Sequence, residues 1–410
     1  MKTGSSGPPD EDGRASVASG TTKLASRMGR LGTESAFEVL AKARALEAQG
    51  REIVHLELGE PDFVTSDHIR AAAKEALDRG ETHYVPAPGI PPLREAVAAF
   101  LERTGRLTTA PDRVVVTPGA KPIMFFTILA LCEEGDEVIY PDPGFPMYES
   151  IAAFAGATPV PIPLREANGF RLDPEELASL VTRRTKLLIL NSPHNPCGSA
   201  LTREDVEAVA QIALERDLTV LSDEVYWAIR YDGAHASVLD VEGMAERTVL
   251  LDGWSKTWAM TGWRLGFGVF PRGLVEPVTR LVINSVSCTS AFSQHAAIAA
   301  LTGSMEPTER MVAEFRGRRD AIVAGLNAIE GVSCVTPDGA FYVFPNVAGL
   351  GRSSREVETH LLEKAGVAAV SGTAFGRYGE GYLRFSYANS LQNIERALAA
   401  FRTSLPELAR

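Results

Sequence analysis

The sequence predicts an α/β protein, with a mostly parallel seven-stranded sheet wrapped by helices and a smaller α+β unit after it. Three observations predict it. Between Arg113 and Phe270, seven apolar runs alternate with stretches of helical spacing: RVVVT, DEVIY, TPVPIP, KLLILN, LTVLS, RTVLL and RLGFGVF. After about Thr302 this alternation stops, and a long polar helix leads into short strands, a helix, a strand and a final helix. The length of 410 residues also exceeds what one core usually supports, so a large and a smaller domain are expected.

Taken in order, the chain opens with MKTGSSGPPDEDGRASVASGTT, rich in Gly, Ser, Pro and charge, which reads as a disordered tail over 1–22. Residues 34–49 follow as a helix, with Phe37, Leu40, Ala41 and Ala45 at helical spacing. A short strand, IVHLELG, is broken by Pro61. Helices at 122–132 and 203–215 fill gaps between strands, and the polar helix of the last part spans 309–330. The expected units are a segment 23–60 that joins the small domain, a large domain 61–302 and a small domain 303–410.

Composition narrows the function. The chain is 45% hydrophobic and 23% charged, ordinary for a globular protein. A formal net charge of −11 gives no surplus of Lys and Arg for a phosphate backbone, so nucleic acid is not an expected partner. Cys132, Cys197, Cys288 and Cys334 lie far apart, and no His or Cys spacing suggests a metal. The run from Ile123 to Cys132 is too short to span a membrane, and no secretory signal is visible, so a cytoplasmic enzyme is the expectation.

In a parallel sheet, ligands sit in the loops after the strands' carboxyl ends, and four such loops are unusual. NSPHNPCG, 191–198, fixes an irregular backbone from which Asn195 is aimed; alone it reads equally as a turn. LSDEVY puts Asp223 after an apolar strand, where a buried carboxylate needs a cation. A helix N-cap is the simpler reading of that motif by itself. DGWSKTWAMTGWRLGFGVF, 252–270, places Lys256 in a small-residue loop and Arg264 eight positions later. Lysine forms Schiff bases with carbonyl cofactors, and an arginine fork suits a phosphate. The alternative is a surface lysine with a strand-edge arginine, weakened by the surrounding Trp254, Trp258, Met260 and Trp263. In YLRFSYANS, Arg384 interrupts an apolar run and faces either a substrate carboxylate or a structural salt bridge. Two glycine-marked loops add Gly59, where a bare backbone permits close approach, and Gly119, Ala120 and Lys121 at a helix opening, a seat for an anion.

GEPDF, HYVPAPGIPPLREA, PGAKP, PDPGFPMY, NSPHNPCG, SDEVY, SKTWAMTGWRLG, GAFYVFP and YLRFSYA follow one another in this order. With them the chain resembles the class I aminotransferases of pyridoxal-phosphate fold type I, from about Gly32 to the C-terminus. The resemblance implies a pyridoxal 5′-phosphate cofactor and ping-pong transfer of an amino group from an amino acid to a 2-oxo acid. It implies that Lys256 carries the cofactor and shuttles the proton, while Asp223 pairs with the pyridine N–H. Tyr226 and Asn195 would bond the ring's phenolic oxygen, and Phe145 would stack on the ring. Gly119, Ala120, Lys121, Ser255 and Arg264 would hold the phosphate, Gly59 and Arg384 the substrate's α-carboxylate. Tyr84 matches a residue that reaches the neighbouring subunit's phosphate, which implies a homodimer with shared sites.

The chain departs from the family pattern at Cys197, in place of the usual Thr, at Trp254, at Gly253, where many relatives have a phosphate-binding Ser, and at Phe145, a Trp in several members. The donor stays open. Lys121 matches a position that hints at an acidic donor, aspartate or glutamate, whereas the Glu34 carboxylate in the segment covering the site opposes one. Two other readings stand beside transamination. The same fold and cofactor serve lyases, decarboxylases and specialised biosynthetic enzymes. A cofactor-dependent transcription regulator would need an N-terminal DNA-binding domain, for which the polar opening segment is too short.

Overall fold

A computed structural model describes residues 22–408. Apart from Thr22, the expected tail lies outside the described residues.

The N-terminal helix spans Ser35–Glu47, close to the predicted 34–49, but it buries a different face. Val39 and Ala43, one turn apart, pack on Leu362 and Ala368, whereas Ala41 and Ala45 are exposed and Phe37 is 58% exposed. The spacing identified a helix, and Phe37 and Leu40 of its apolar residues face a cavity instead of the core. Of the predicted strand IVHLELG, only β1 (Val54–His55) is regular, pairing with β10 (Val367–Ala368). Beyond it the backbone leaves the ladder: the carbonyls of Glu57 and Gly59 accept from Arg384 and Lys256. A strand whose acceptors are diverted to side chains cannot continue its pairing.

All seven apolar runs become strands of one sheet: β2 (Val114–Thr117), β3 (Glu137–Asp142), β4 (Thr158–Pro163), β5 (Thr185–Asn191), β6 (Thr219–Asp223), β7 (Thr248–Gly253) and β8 (Gly266–Val269). Their spatial order is β2-β8-β7-β6-β5-β3-β4. Pairs are parallel except around β8, which runs antiparallel to both β2 and β7. The central strands are buried along their length because helices cover both faces. Helix Lys121–Leu131 packs Ile123 and Met124 on one side with Val115 and Val249. Helix Arg203–Glu215 packs Val206, Val209, Ala210 and Ala213 on the other with Leu188 and Val220. That second helix starts where Thr202 and Asp205 form a capping box, a feature worth about 1 kcal/mol.

Register places the chemistry. Asn191 lies opposite Asp223, and Asp223 opposite Leu251, so the carboxyl ends of β5, β6 and β7 share one edge. After Thr302 the pattern changes as the sequence predicted. The polar helix spans Glu306–Asn327, starting three residues before the predicted 309 because Pro307 sits in the first turn, where no N–H partner is lost. Strands β9 (Tyr342–Val343), β11 (Val370–Ser371) and β12 (Leu383–Ser386) form an antiparallel sheet in the order β11-β12-β9. Phe315, Phe341, Phe385 and Phe401 fill the core between this sheet and the helices Glu306–Asn327 and Leu391–Leu408. Among the described residues, no helix is long and apolar enough to cross a membrane.

Candidate active site

The shared edge of β5, β6 and β7 opens into a cavity of about 630 Å³. Every residue given a cofactor or substrate role from the sequence lines it except Gly119 and Tyr84. Gly119 stands immediately behind the lining: a Cβ there would lie 2.2 Å from Arg264 Nη2. Its φ of +86° is a second reason for glycine at that position. Arg264 therefore rests against bare backbone at the opening of helix Lys121–Leu131, where free N–H groups and a guanidinium converge. Arg264 itself is exposed and bonded to the Thr261 carbonyl at 2.8 Å, not enclosed by the tryptophans as the sequence suggested. The buried aromatic setting belongs to Trp254 and Trp258. Gly253 has little room: a Cβ there would meet the Leu265 carbonyl at 3.0 Å and Gly266 Cα at 3.1 Å. Tyr84 is 90% exposed and lies away from the cavity of its own chain.

Lys256 follows β7 in the short helix Trp254–Thr257, and its ammonium donates to the Gly59 carbonyl. Burial, joined by Arg384, Arg264 and Lys121 and opposed by Glu60, lowers its pKa to about 8. A lysine so placed is partly neutral near physiological pH, which suits a nucleophile or a base.

Asp223 ends β6, 7% exposed. Among the described residues its oxygens accept from the Tyr148 hydroxyl at 2.7 Å and the Val225 N–H at 3.4 Å. The second contact is what remains of the capping alternative: Asp223 serves a turn, and no helix follows it. Burial raises its pKa to about 6, with Asp252 and Glu224 adding to the rise and Tyr148 and Val225 opposing it. A buried carboxylate held by neutral groups facing a cavity is a seat for a cation.

At the opposite wall Arg384 is 4% exposed, flanked by the rings of Tyr342 and Phe375, each 4.8 Å away. It donates to Asn195 Oδ1 at 3.2 Å and to the Glu57 carbonyl, and its Nε has no partner among the described residues. Neither contact is an ion pair, and among the described residues Arg384 forms no salt bridge of the kind weighed from the sequence. A buried guanidinium with neutral partners has capacity for an anion.

Sequence reasoning assigned no role to Tyr148, Tyr342 or Asn191. Tyr148 lay within the quoted PDPGFPMY, three residues after Phe145, and Tyr342 within GAFYVFP, but nothing local showed what each would face. Tyr342 bonds the Tyr226 hydroxyl at 2.8 Å, and its own hydroxyl lies where a Cβ on Gly59 would be. That approach explains the glycine. Asn191 latches β6 to the loop that follows β5, through the Asp223 carbonyl at 3.1 Å and the Asn195 N–H at 2.9 Å.

The cavity's furniture matches the requirements of a phosphorylated, protonated pyridine aldehyde. The Gly119–Arg264 cradle offers an anion seat, Asp223 a cation seat and Lys256 an amine in the same cavity.

Comparison with known proteins gives the same class. A family profile described as "Aminotransferase class I and II" matches residues 51–401. An aspartate aminotransferase from Pyrococcus abyssi is 42% identical over 361 residues, covering 87% of this chain and 92% of the relative. Aromatic-amino-acid aminotransferase 2 from Thermococcus litoralis is 42% identical over 365 residues, covering 88% and 94%. Among solved structures, aspartate aminotransferase from Thermus thermophilus with maleate aligns at a TM-score of 0.90 and 37% identity, over 93% of this chain and 100% of that one.

Proposed function

The chain belongs to the class I and II aminotransferases, and on that premise we propose that it moves an amino group from an L-amino acid to a 2-oxo acid with pyridoxal 5′-phosphate held at Lys256. The observation that carries this is Lys256, an amine of lowered pKa lining the same cavity as the buried carboxylate of Asp223 and the buried Arg384. When bound, the cofactor's protonated ring accepts the electrons released at the substrate's Cα.

The chain's own residues do the rest. Asp223 holds the ring N–H, and Tyr148 keeps that carboxylate oriented and charged. The N–H groups at Ala120 and Lys121, with Ser255 and Arg264, hold the phosphate. Phe145 covers the ring, while Tyr226 and Asn195 face its phenolic oxygen. Arg384, with the backbone at Gly59, binds the substrate's α-carboxylate and so retains it. Neutral Lys256 Nζ then takes the proton from Cα, its burial keeping the amine free to do so. Tyr84, exposed on its own chain, serves the site of a second copy in a homodimer.

Initial rates measured with the amino donor and 2-oxo acid both varied test the reading. Parallel double-reciprocal lines are expected, because one product leaves before the second substrate binds. Intersecting lines, or release of ammonia or CO2 in place of an oxo acid, would overturn it.

A further inference from the structure

With Arg384, Lys256 and the Gly119–Arg264 cradle assigned, one wall of the cavity is left for the substrate's side chain. It includes Ala36, Phe37, Leu40 and the exposed Arg44 from the N-terminal helix together with Glu34 and Lys121. Lys121 is the cation on this wall that a second substrate carboxylate would seek. Its ammonium is already bonded to Glu34 Oε1, and it lies 5.4 Å from the Phe145 ring centroid. The Glu34 side chain is 19% exposed against 50% for Lys121, so the carboxylate is the less hydrated member of the pair.

From this wall we propose that the Glu34–Lys121 ion pair makes the side-chain subsite electrically neutral and selects amino donors with uncharged, apolar or aromatic side chains over dicarboxylic ones. The inference rests on the aminotransferase reading and names its donor class. A dicarboxylic donor must either leave its distal charge unmatched or separate Lys121 from Glu34. Separation strands a largely buried Glu34 carboxylate beside the incoming one, and like charges brought together at a site repel. An apolar side chain leaves the pair intact and covers Phe37, 58% exposed, and half-buried Leu40. Arg44 also borders the cavity but is exposed, where water and salt weaken its pull on a distal carboxylate.

The test uses unreactive substrate analogues on the cofactor-loaded protein. Dissociation constants for succinate and for 3-phenylpropionate are measured by calorimetry on the wild type and on Glu34→Gln, which keeps the side chain's shape. Phenylpropionate should bind the wild type more tightly. Glu34→Gln should tighten succinate by about tenfold, the equivalent of one lost like-charge contact, and change phenylpropionate by less than about twofold. Tighter succinate binding by the wild type, or the same change for both ligands in Glu34→Gln, overturns the selection. If neither ligand binds and no amino acid converts the cofactor to its amine form, the aminotransferase reading fails and this inference fails with it.

Discussion

Replacing Arg106 with leucine tests what holds the strand ends at the cavity in place. Arg106 is 8% exposed, and its guanidinium is bonded to Asp252 Oδ2 at 2.6 Å and Glu224 Oε2 at 2.9 Å and lies 4.3 Å from the Trp227 ring. Asp252 immediately precedes Gly253, and Glu224 immediately follows Asp223. Arg106→Leu leaves two carboxylates, each 1% exposed, without their shared cation. Breaking such a buried pair costs about 3–5 kcal/mol. Glu224 retains His235 at 2.9 Å and the hydroxyls of Ser222 and Ser237, so most of the loss falls on Asp252, left with the Gly253 N–H. Burial already raises Asp252 to about 6 against the pull of Arg106, and losing the arginine raises it further. A carboxyl raised in the folded state carries a proton that the unfolded chain has released, so its contribution to stability falls as pH rises. Above pH 6 the variant keeps that proton where the wild type has lost it, and the deficit widens by up to about 1.4 kcal/mol per pH unit. Denaturant unfolding at one fixed protein concentration should give a deficit of about 3–5 kcal/mol at pH 8 and about 1–2 kcal/mol at pH 5.5. A deficit under about 1 kcal/mol at pH 8, or one that does not change with pH, would refute the reasoning.

Tyr148→Phe removes the hydroxyl donated to Asp223 and should weaken pyridoxal-phosphate binding by about ten- to a hundredfold, the worth of a hydrogen bond to a buried charge. Fluorescence titration of the apoprotein measures it, and a loss below threefold would count against Tyr148 as the group that keeps Asp223 charged. Gly119→Ala crowds Arg264 and forces a non-glycine residue to φ +86°, so affinity for pyridoxal phosphate should fall about tenfold while affinity for pyridoxal, which has no phosphate, holds. Equal losses for both ligands would point to general unfolding of the loop. The rate at which apoprotein captures pyridoxal phosphate covalently should rise with pH around a midpoint near 8, since the neutral amine is the nucleophile and Lys256 is lowered to about 8. Stopped-flow absorbance follows it; a midpoint near that of an ordinary lysine, or capture that persists in Lys256→Ala, contradicts the assignment.

Much of this fold is legible in the sequence because the central strands are covered on both faces. Runs such as KLLILN and RTVLL are apolar at successive positions, and little else in a chain of this kind looks like them. The candidate site was legible because its residues stand at the ends of those strands: Asn195 follows β5, Asp223 ends β6 and Lys256 follows β7. What stayed hidden depends on contacts distant in sequence. Arg106 meets Asp252 across 146 positions, and Tyr342 meets Tyr226 across 116, with no periodic pattern to reveal either. The N-terminal helix misled for a related reason. Its apolar residues are divided between the core, at Val39 and Ala43, and the cavity, at Phe37 and Leu40, so helical spacing alone could not tell which stripe is buried.

The most direct test of the central claim is a single half-reaction. Protein loaded with pyridoxal phosphate is mixed with each amino acid in turn, without any oxo acid, and cofactor and products are quantified chemically. The account predicts one equivalent of pyridoxamine 5′-phosphate and one of 2-oxo acid per site for the accepted donors, abolished in Lys256→Ala. Release of ammonia or CO2 with the cofactor still in its aldehyde form would contradict it and assign the cavity to elimination or decarboxylation.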